Sequence, residues 1–197
     1  MQDPMRSPMR SGTDASREPR RIRYRILECP LGWLLVAASA RGICQLRFGD
    51  DPQALERELE AKLPFAALAR DAGSLDAAVE ALEACLRGEG GAPRLALDEG
   101  GSPFQRRVWA AIREVPSGAT RSYAELARAV GRPTAARAVA RACGANPLAL
   151  VTPCHRVVAS DGRPGGYRYG LARKRALLEA ERAAAVALPE AELRASR

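Results

Sequence analysis

Cys154 and His155 stand side by side in the stretch VTPCHRVV, residues 151–158, and His155 is the only histidine of the 197-residue chain. A cysteine is nucleophilic only as its thiolate, and an imidazole oriented by a carboxylate is the usual means of removing its proton. Successive side chains of a regular strand point to opposite faces, so these two would not hydrogen-bond to each other on an extended chain. Either Pro153 kinks the chain at this point, or a water bridges the pair. The candidate acid is Glu181, which shares one face of a predicted C-terminal helix with Leu171, Lys174 and Leu178. A blander reading makes Cys154 a small buried hydrophobe, His155 a surface residue and Glu181 the partner of a nearby Arg. Residue types alone favour that reading. Metal binding is a weaker alternative, because the cysteines at 29, 44, 85, 143 and 154 contain no C-x-x-C pair. No metal is assigned.

The elements that must position these residues divide the chain in two. Residues 22–48 read as short strands, with turns at Pro30-Leu31-Gly32 and Arg41-Gly42. Helical spacing follows, first through Leu55, Leu59 and Leu63, then from Leu75 through Leu82 to Leu86. The Gly-rich segment 87–102 reads as a linker ending in an extended stretch. Beyond it, Ser102 with Gln105, and Ser122 with Glu125, form capping boxes that open two helices, the second closed by Gly131. A third helix is predicted from about Thr134 to Cys143, with Arg137 and Arg141 on the face opposite Ala136, Val139 and Cys143. Two short helices with a Gly-containing turn match a helix-turn-helix plan, although many helical hairpins that bind no DNA would match it too. Asp161-Gly162 is a turn signal for a hairpin or wing, and the final helix begins near Leu171. The resulting division is a disordered tail at 1–21, an α/β domain with linker at 22–98, a C-terminal domain at 99–184 and a tail at 185–197.

Charge separates the halves more sharply than hydropathy does. Residues 26–102 hold 7 Lys and Arg against 13 Asp and Glu, whereas residues 103–182 hold 15 against 5. A positive block of this kind in a folded region suggests a polyanionic partner such as nucleic acid, with a solvated face as the plain alternative. No run of about 18 apolar residues occurs, so a membrane span is not expected. The N-terminal residues lack the apolar stretch of a secretory signal, and an odd number of cysteines without regular spacing fits a reducing compartment. The expected location is cytoplasmic, associated with the nucleoid if the source is bacterial.

The stretch NPLALVTPCHRVVASDGRPGGYRYGLARKRALLEAE, residues 146–181, with SYAELARAVGRPTAARAVARA before it, resembles the DNA alkyltransferases that repair 6-O-methylguanine, the methylated-DNA–protein-cysteine methyltransferases. The resemblance is strongest over residues 102–181 and weaker through CPLGWLLVAASARGICQLRFGDD in the N-terminal half. It implies an α+β protein: a small N-terminal α/β domain, ribonuclease-H-like, followed by a helical winged helix-turn-helix domain. By the same resemblance Cys154 is the alkyl acceptor, His155 the water-linked base and Glu181 the carboxylate that orients it. Asn146 braces the turn that carries the cysteine, and the Tyr123 hydroxyl faces the flipped base. Arg137 enters the duplex where the damaged nucleotide has left, and Ala135, Ala136, Arg141 and Ser160 complete the implied DNA-contacting set. Tyr123, Val157, Tyr167 and Arg168 line the implied base pocket, and Lys174 has a structural role.

The implied activity is a single, irreversible transfer of methyl from 6-O-methylguanine, and from 4-O-methylthymine, in double-stranded DNA to Cys154, with no cofactor and the protein acting as a monomer. Extruding the base costs a few kcal/mol, which an inserted arginine offsets. The family's zinc site is not expected here, because no histidine stands outside position 155, and residues 1–25 carry nothing that encodes a methylphosphotriester-sensing module. Tyr169 is expected to narrow the pocket so that methyl is accepted better than benzyl. Two competing classes remain: a protein that binds alkylated bases without repairing them, and a cysteine hydrolase with repeated turnover.

Overall fold

The computed structural model describes residues 19–87, 89 and 93–195. The N-terminal half opens with a meander of three antiparallel strands, β1 (Arg20–Cys29), β2 (Gly32–Ser39) and β3 (Gly42–Gly49). Helix α1 (Pro52–Lys62) then crosses one face, and β4 (Ala66–Arg70) joins β1 in parallel, giving the order β3-β2-β1-β4. Asp51 caps α1 by accepting from the N–H groups of Gln53 and Ala54, and Pro52 occupies the first turn, where its missing N–H costs nothing. Strand β4 has no signal in the sequence. Its residues, AALAR, lack the branched and aromatic side chains of a strand, and pairing with β1 draws them into the sheet.

The sheet is buried on both faces. Ile22, Tyr24, Leu35, Ala37 and Cys44 pack under Leu55 and Leu59 of α1. Leu34, Val36, Leu46 and Phe48 face Val79 and Leu82 of α2 (Asp76–Leu86), and also Leu148, Val151, Tyr169 and Leu177 from the C-terminal half. The two halves therefore share a core. The linker is fastened to the sheet as well: Ile43 donates to the Ala96 carbonyl at 2.8 Å, and Gly42 (φ 137°) comes so close that a Cβ there would lie 2.2 Å from that oxygen.

In the C-terminal half, α3 (Pro103–Arg113) and α4 (Tyr123–Ala129) begin at the two expected capping boxes, both fully formed. Helix α5 (Ala136–Gly144) starts two residues later than its predicted beginning at Thr134. Val108, Trp109, Ile112, Leu126, Val139 and Ala142 make the core beneath these helices, and the Trp109 indole donates to the Ala142 carbonyl at 2.8 Å. The turn at Asp161-Gly162 is present, closed by Ala159 N–H to the Arg163 carbonyl. It does not lead into a hairpin. Strand β6 (Val157–Val158) pairs instead in parallel with β5 (Arg121–Ser122), since Pro164 and the following glycines make a poor return strand.

Helix α6 (Leu171–Ala195) begins where expected and continues through the segment anticipated as a tail from 185, which is rich in Ala, Leu and Glu. At the other end β1 begins at Arg20, inside the anticipated tail; residues 1–18 lie outside the described residues. Among the described residues no helix is long and apolar enough to cross a membrane.

Candidate active site

Cys154 opens a single turn of 3-10 helix (Cys154–Arg156) that follows Pro153, so the chain is bent where a strand would have split the Cys-His pair. The bend does not bring them into direct contact. Cys154 Sγ accepts from Asn146 Nδ2 at 3.2 Å, whereas His155 Nε2 lies 2.7 Å from Glu181 Oε1. His155 Nδ1, buried, has no hydrogen-bond partner among the described residues. Both residues are deeply enclosed, Cys154 at 6% and His155 at 2% exposure.

Asn146 braces the loop that ends at the cysteine. Its amide also donates to the Thr152 carbonyl at 2.8 Å, and its Oδ1 accepts from Leu148 N–H at 2.9 Å. Between these contacts Leu150 has a φ of 68°, the left-handed region that a branched side chain avoids. Lys174, fully buried, spreads its ammonium over the carbonyls of Val157, Pro164 and Gly166, tying α6 to the segment after the cysteine.

Glu181 is held by more than the histidine. Arg156 donates from Nε to both carboxylate oxygens, at 3.0 and 3.1 Å, and from Nη2 to Oε1 at 2.9 Å; the Gly118 N–H adds a bond to Oε2 at 3.1 Å. Burial acts to raise the pKa of this carboxyl, but the hydrogen bonds from His155 and Arg156 win and hold it at about 2. His155 is shifted downward by burial, only partly countered by Glu181, so its imidazole stays neutral at ordinary pH and can accept a proton. Burial pushes the Cys154 thiol up, against the Asn146 hydrogen bond and the nearby Lys174 charge. The resting nucleophile is therefore a thiol beside a neutral base, not a free-standing thiolate.

The thiol faces a cavity of about 300 Å³ lined by Tyr123, Ala140, Cys143, Gly144, Cys154, Gly166, Tyr167 and Arg168. The Tyr123 hydroxyl reaches the Gly166 carbonyl at 3.4 Å, and its pKa is raised by burial, which keeps it protonated as a donor. Arg168 donates to the Gly144 carbonyl at 3.0 Å across the same cavity. Of the four expected pocket residues, Tyr123, Tyr167 and Arg168 line it. Val157 does not, because its side chain is fully buried in the helical core. Tyr169 is displaced too: it lies edge-on to Phe48 and Tyr167, with its hydroxyl 3.4 Å from the Leu46 carbonyl, in the core shared with the sheet. It borders a different groove, so the side chain at the cavity wall is Arg168.

Arg137 and Arg141 are exposed on α5, and Arg137 lies one turn before Ala140 at the cavity wall. Ala135 is the residue before α5 and Ala136 its first, both half-buried. Ser160 is exposed, beside a separate groove with Thr120, Ser122, Glu125 and Arg128. Sequence reasoning missed Arg156, Gly118 and Cys143. For the first, the sequence offered its adjacency to His155 and the reading in which Glu181 pairs with a nearby Arg, which is Arg156. The other two are brought in by chain packing. Among the described residues no group of three or more His, Cys, Asp or Glu is placed to hold a metal ion.

Two family models match this chain: the ribonuclease-like domain of 6-O-methylguanine DNA methyltransferase over residues 22–98, and its DNA-binding domain over residues 103–183. The chain is 46% identical over 160 residues to the bifunctional transcriptional activator/DNA repair enzyme Ada of Escherichia coli, covering 81% of this chain and 45% of that protein. It thus spans about half the length of that relative. It is 41% identical to the methylated-DNA–protein-cysteine methyltransferase of Mycobacterium tuberculosis, covering 84% of this chain and 96% of the relative. Among solved structures, Mycobacterium tuberculosis OGT in complex with DNA superposes with a TM-score of 0.71 at 37% identity, covering 83% of this chain and 94% of that one.

Proposed function

The chain belongs to the 6-O-methylguanine DNA methyltransferase family, and from that premise we propose that it repairs DNA by moving the methyl group of 6-O-methylguanine onto Cys154. The observation that carries the reading is the thiol facing a base-sized cavity, with the neutral His155 and the charged Glu181 behind it.

The base is extruded from the duplex, because its 6-O position is unreachable within the stack. Arg137, exposed one turn from the cavity wall, fills the vacated space. His155 Nδ1 takes the thiol proton through one bridging water, and Glu181 stabilises the imidazolium that forms. The sulfur attacks the methyl carbon, an S–C bond forms, and the C–O bond breaks with its electron pair passing to the guanine ring. Tyr123 donates a hydrogen bond to the leaving base, which would otherwise collect negative charge. The product, S-methylcysteine, is a thioether without an easy leaving group, so each molecule acts once and needs no cofactor.

The same chemistry extends to 4-O-methylthymine, which carries an equivalent ring methoxy group. Affinity for double-stranded DNA comes chiefly from the arginines of residues 103–182 acting on phosphates, with the cavity selecting damage over sequence. The protein works as an intracellular monomer. Incubation with duplex bearing labelled methylguanine tests the reading, by intact mass and peptide mapping. A gain of one methylene in mass on Cys154, up to one equivalent, is expected. Binding without transfer would mean a non-repairing reader of damage, and repeated demethylation with unmodified protein would mean a hydrolase.

A further inference from the structure

The loop that presents Cys154 is gripped at two points, one from the N-terminal sheet and one from α3 and the linker. One is backbone: Leu46 of β3 donates to the Pro147 carbonyl at 2.8 Å and accepts from Ala149 N–H at 3.0 Å. The other is a side-chain clamp. Arg113, the last residue of α3, donates from Nη1 to Thr152 Oγ1 at 2.9 Å and binds Glu99 with both Nη1 and Nη2, at 2.8 and 2.9 Å. Glu99 belongs to the linker and follows Asp98, whose carboxylate pairs with Arg20, Arg41 and Ser39 of the sheet domain. A rigid fork between two fixed acceptors has little freedom to drift.

Thr152 is where the clamp meets the nucleophile. It is fully buried, and its carbonyl accepts both the Cys154 N–H and the Asn146 amide, each at 2.8 Å. The same Asn146 amide donates to Cys154 Sγ. A shift of Thr152 therefore moves the cysteine backbone and its hydrogen-bond donor together. The loop has its own reason to shift, because Leu150 sits two residues away in a disfavoured backbone region.

We propose that Arg113, anchored by Glu99, is a positioning residue: by holding Thr152 it sets where the Cys154 sulfur stands in the cavity and keeps Asn146 hydrogen-bonded to it. This rests on the alkyl-transfer reading and adds to it a control point among the residues outside the cavity wall. Displacement of a reacting atom by about 1 Å can slow a transfer about a hundredfold.

The test compares Thr152→Val, which keeps the shape and loses only the hydroxyl, with Thr152→Ser, which restores it, and with Arg113→Met. Each is measured for single-turnover methyl transfer, for duplex affinity, and for the pH profile of Cys154 alkylation by iodoacetamide, resolved from the other cysteines by peptide mapping. Thermal melting checks that each variant is folded, and Glu99→Gln serves if either Val or Met is not. Thr152→Val and Arg113→Met should slow transfer about tenfold at unchanged duplex affinity. They should also move the iodoacetamide profile to higher pH as the Asn146 bond to sulfur loosens, and Thr152→Ser should recover most of the rate. Folded Val and Met variants with the original rate and the original profile would overturn the proposal. If the unaltered protein transfers no methyl at all, the functional reading falls, while the iodoacetamide profiles still decide the positioning role.

Discussion

Glu181 Oε1 lies 2.7 Å from His155 Nε2, and the same carboxylate is gripped by the guanidinium of Arg156, the residue next to that histidine. One short turn thus delivers both a base and the cation that keeps its partner acid ionised. The carboxylate orients the imidazole and is itself kept from taking the proton.

Glu181→Gln should slow methyl transfer about tenfold or more, because the imidazolium loses its counter-charge and the His155 pKa, already depressed by burial, falls further. Single-turnover rates across pH 5–9 check this. In the unaltered protein the acid limb of the rate should lie below that of an ordinary histidine, since burial lowers the imidazole pKa. An unchanged rate in the variant would remove Glu181 from the relay.

The same carboxyl links stability to acid. Its folded pKa of about 2 lies below the unfolded value of 4.5, so its contribution is present above pH 4.5 and is lost as pH falls from there toward 2. The contribution is on the order of 3 kcal/mol. Urea midpoints should fall between pH 5 and pH 2.5, with a flatter dependence for Glu181→Gln. Parallel curves would place the acid sensitivity elsewhere.

Cys154→Ala should abolish transfer and retain duplex binding. Asn146→Ala should raise the thiol pKa beyond its burial-elevated value, since it deletes the side-chain hydrogen bond that most favours the thiolate. Iodoacetamide kinetics against pH measure this. A profile shifted to lower pH would contradict the role given to Asn146.

Arg137→Ala should impair base extrusion more than nonspecific binding. Repair of duplex should drop at least tenfold, while affinity for undamaged duplex changes only by the loss of about one phosphate-neutralising charge. A fluorescent base analogue at the lesion reports extrusion directly. Equal repair rates would leave the arginine as a surface charge.

Arg168→Gly should raise the rate on 6-O-benzylguanine relative to 6-O-methylguanine, because Arg168 spans the cavity to the Gly144 carbonyl. Tyr169→Phe should leave that ratio unchanged, since Tyr169 packs in the core behind Tyr167. The reverse pattern would restore the expectation drawn from the sequence.

Much of this molecule was legible in order of residues. Two capping boxes marked the starts of α3 and α4, because a cap is a contact across three residues and needs no distant partner. The stripe on the last helix was sound for Lys174, Leu178 and Glu181, which turn inward, whereas Leu171 at its first turn is exposed. The Cys154-His155 pair, the acidic and basic halves and the family resemblance were likewise present in the sequence alone. What tertiary structure decided was every relation between segments far apart in the chain. Strand β4 exists because β1 offers it a ladder, and Tyr169 leaves the cavity because Phe48 and Tyr167 offer it a core. The thiol stays protonated at rest because packing removes it from water, and Glu181 stays charged because His155, Arg156 and Gly118 reach it. Local hydrogen bonds are written in spacing, but desolvation and long-range pairing arise only when the chain closes on itself.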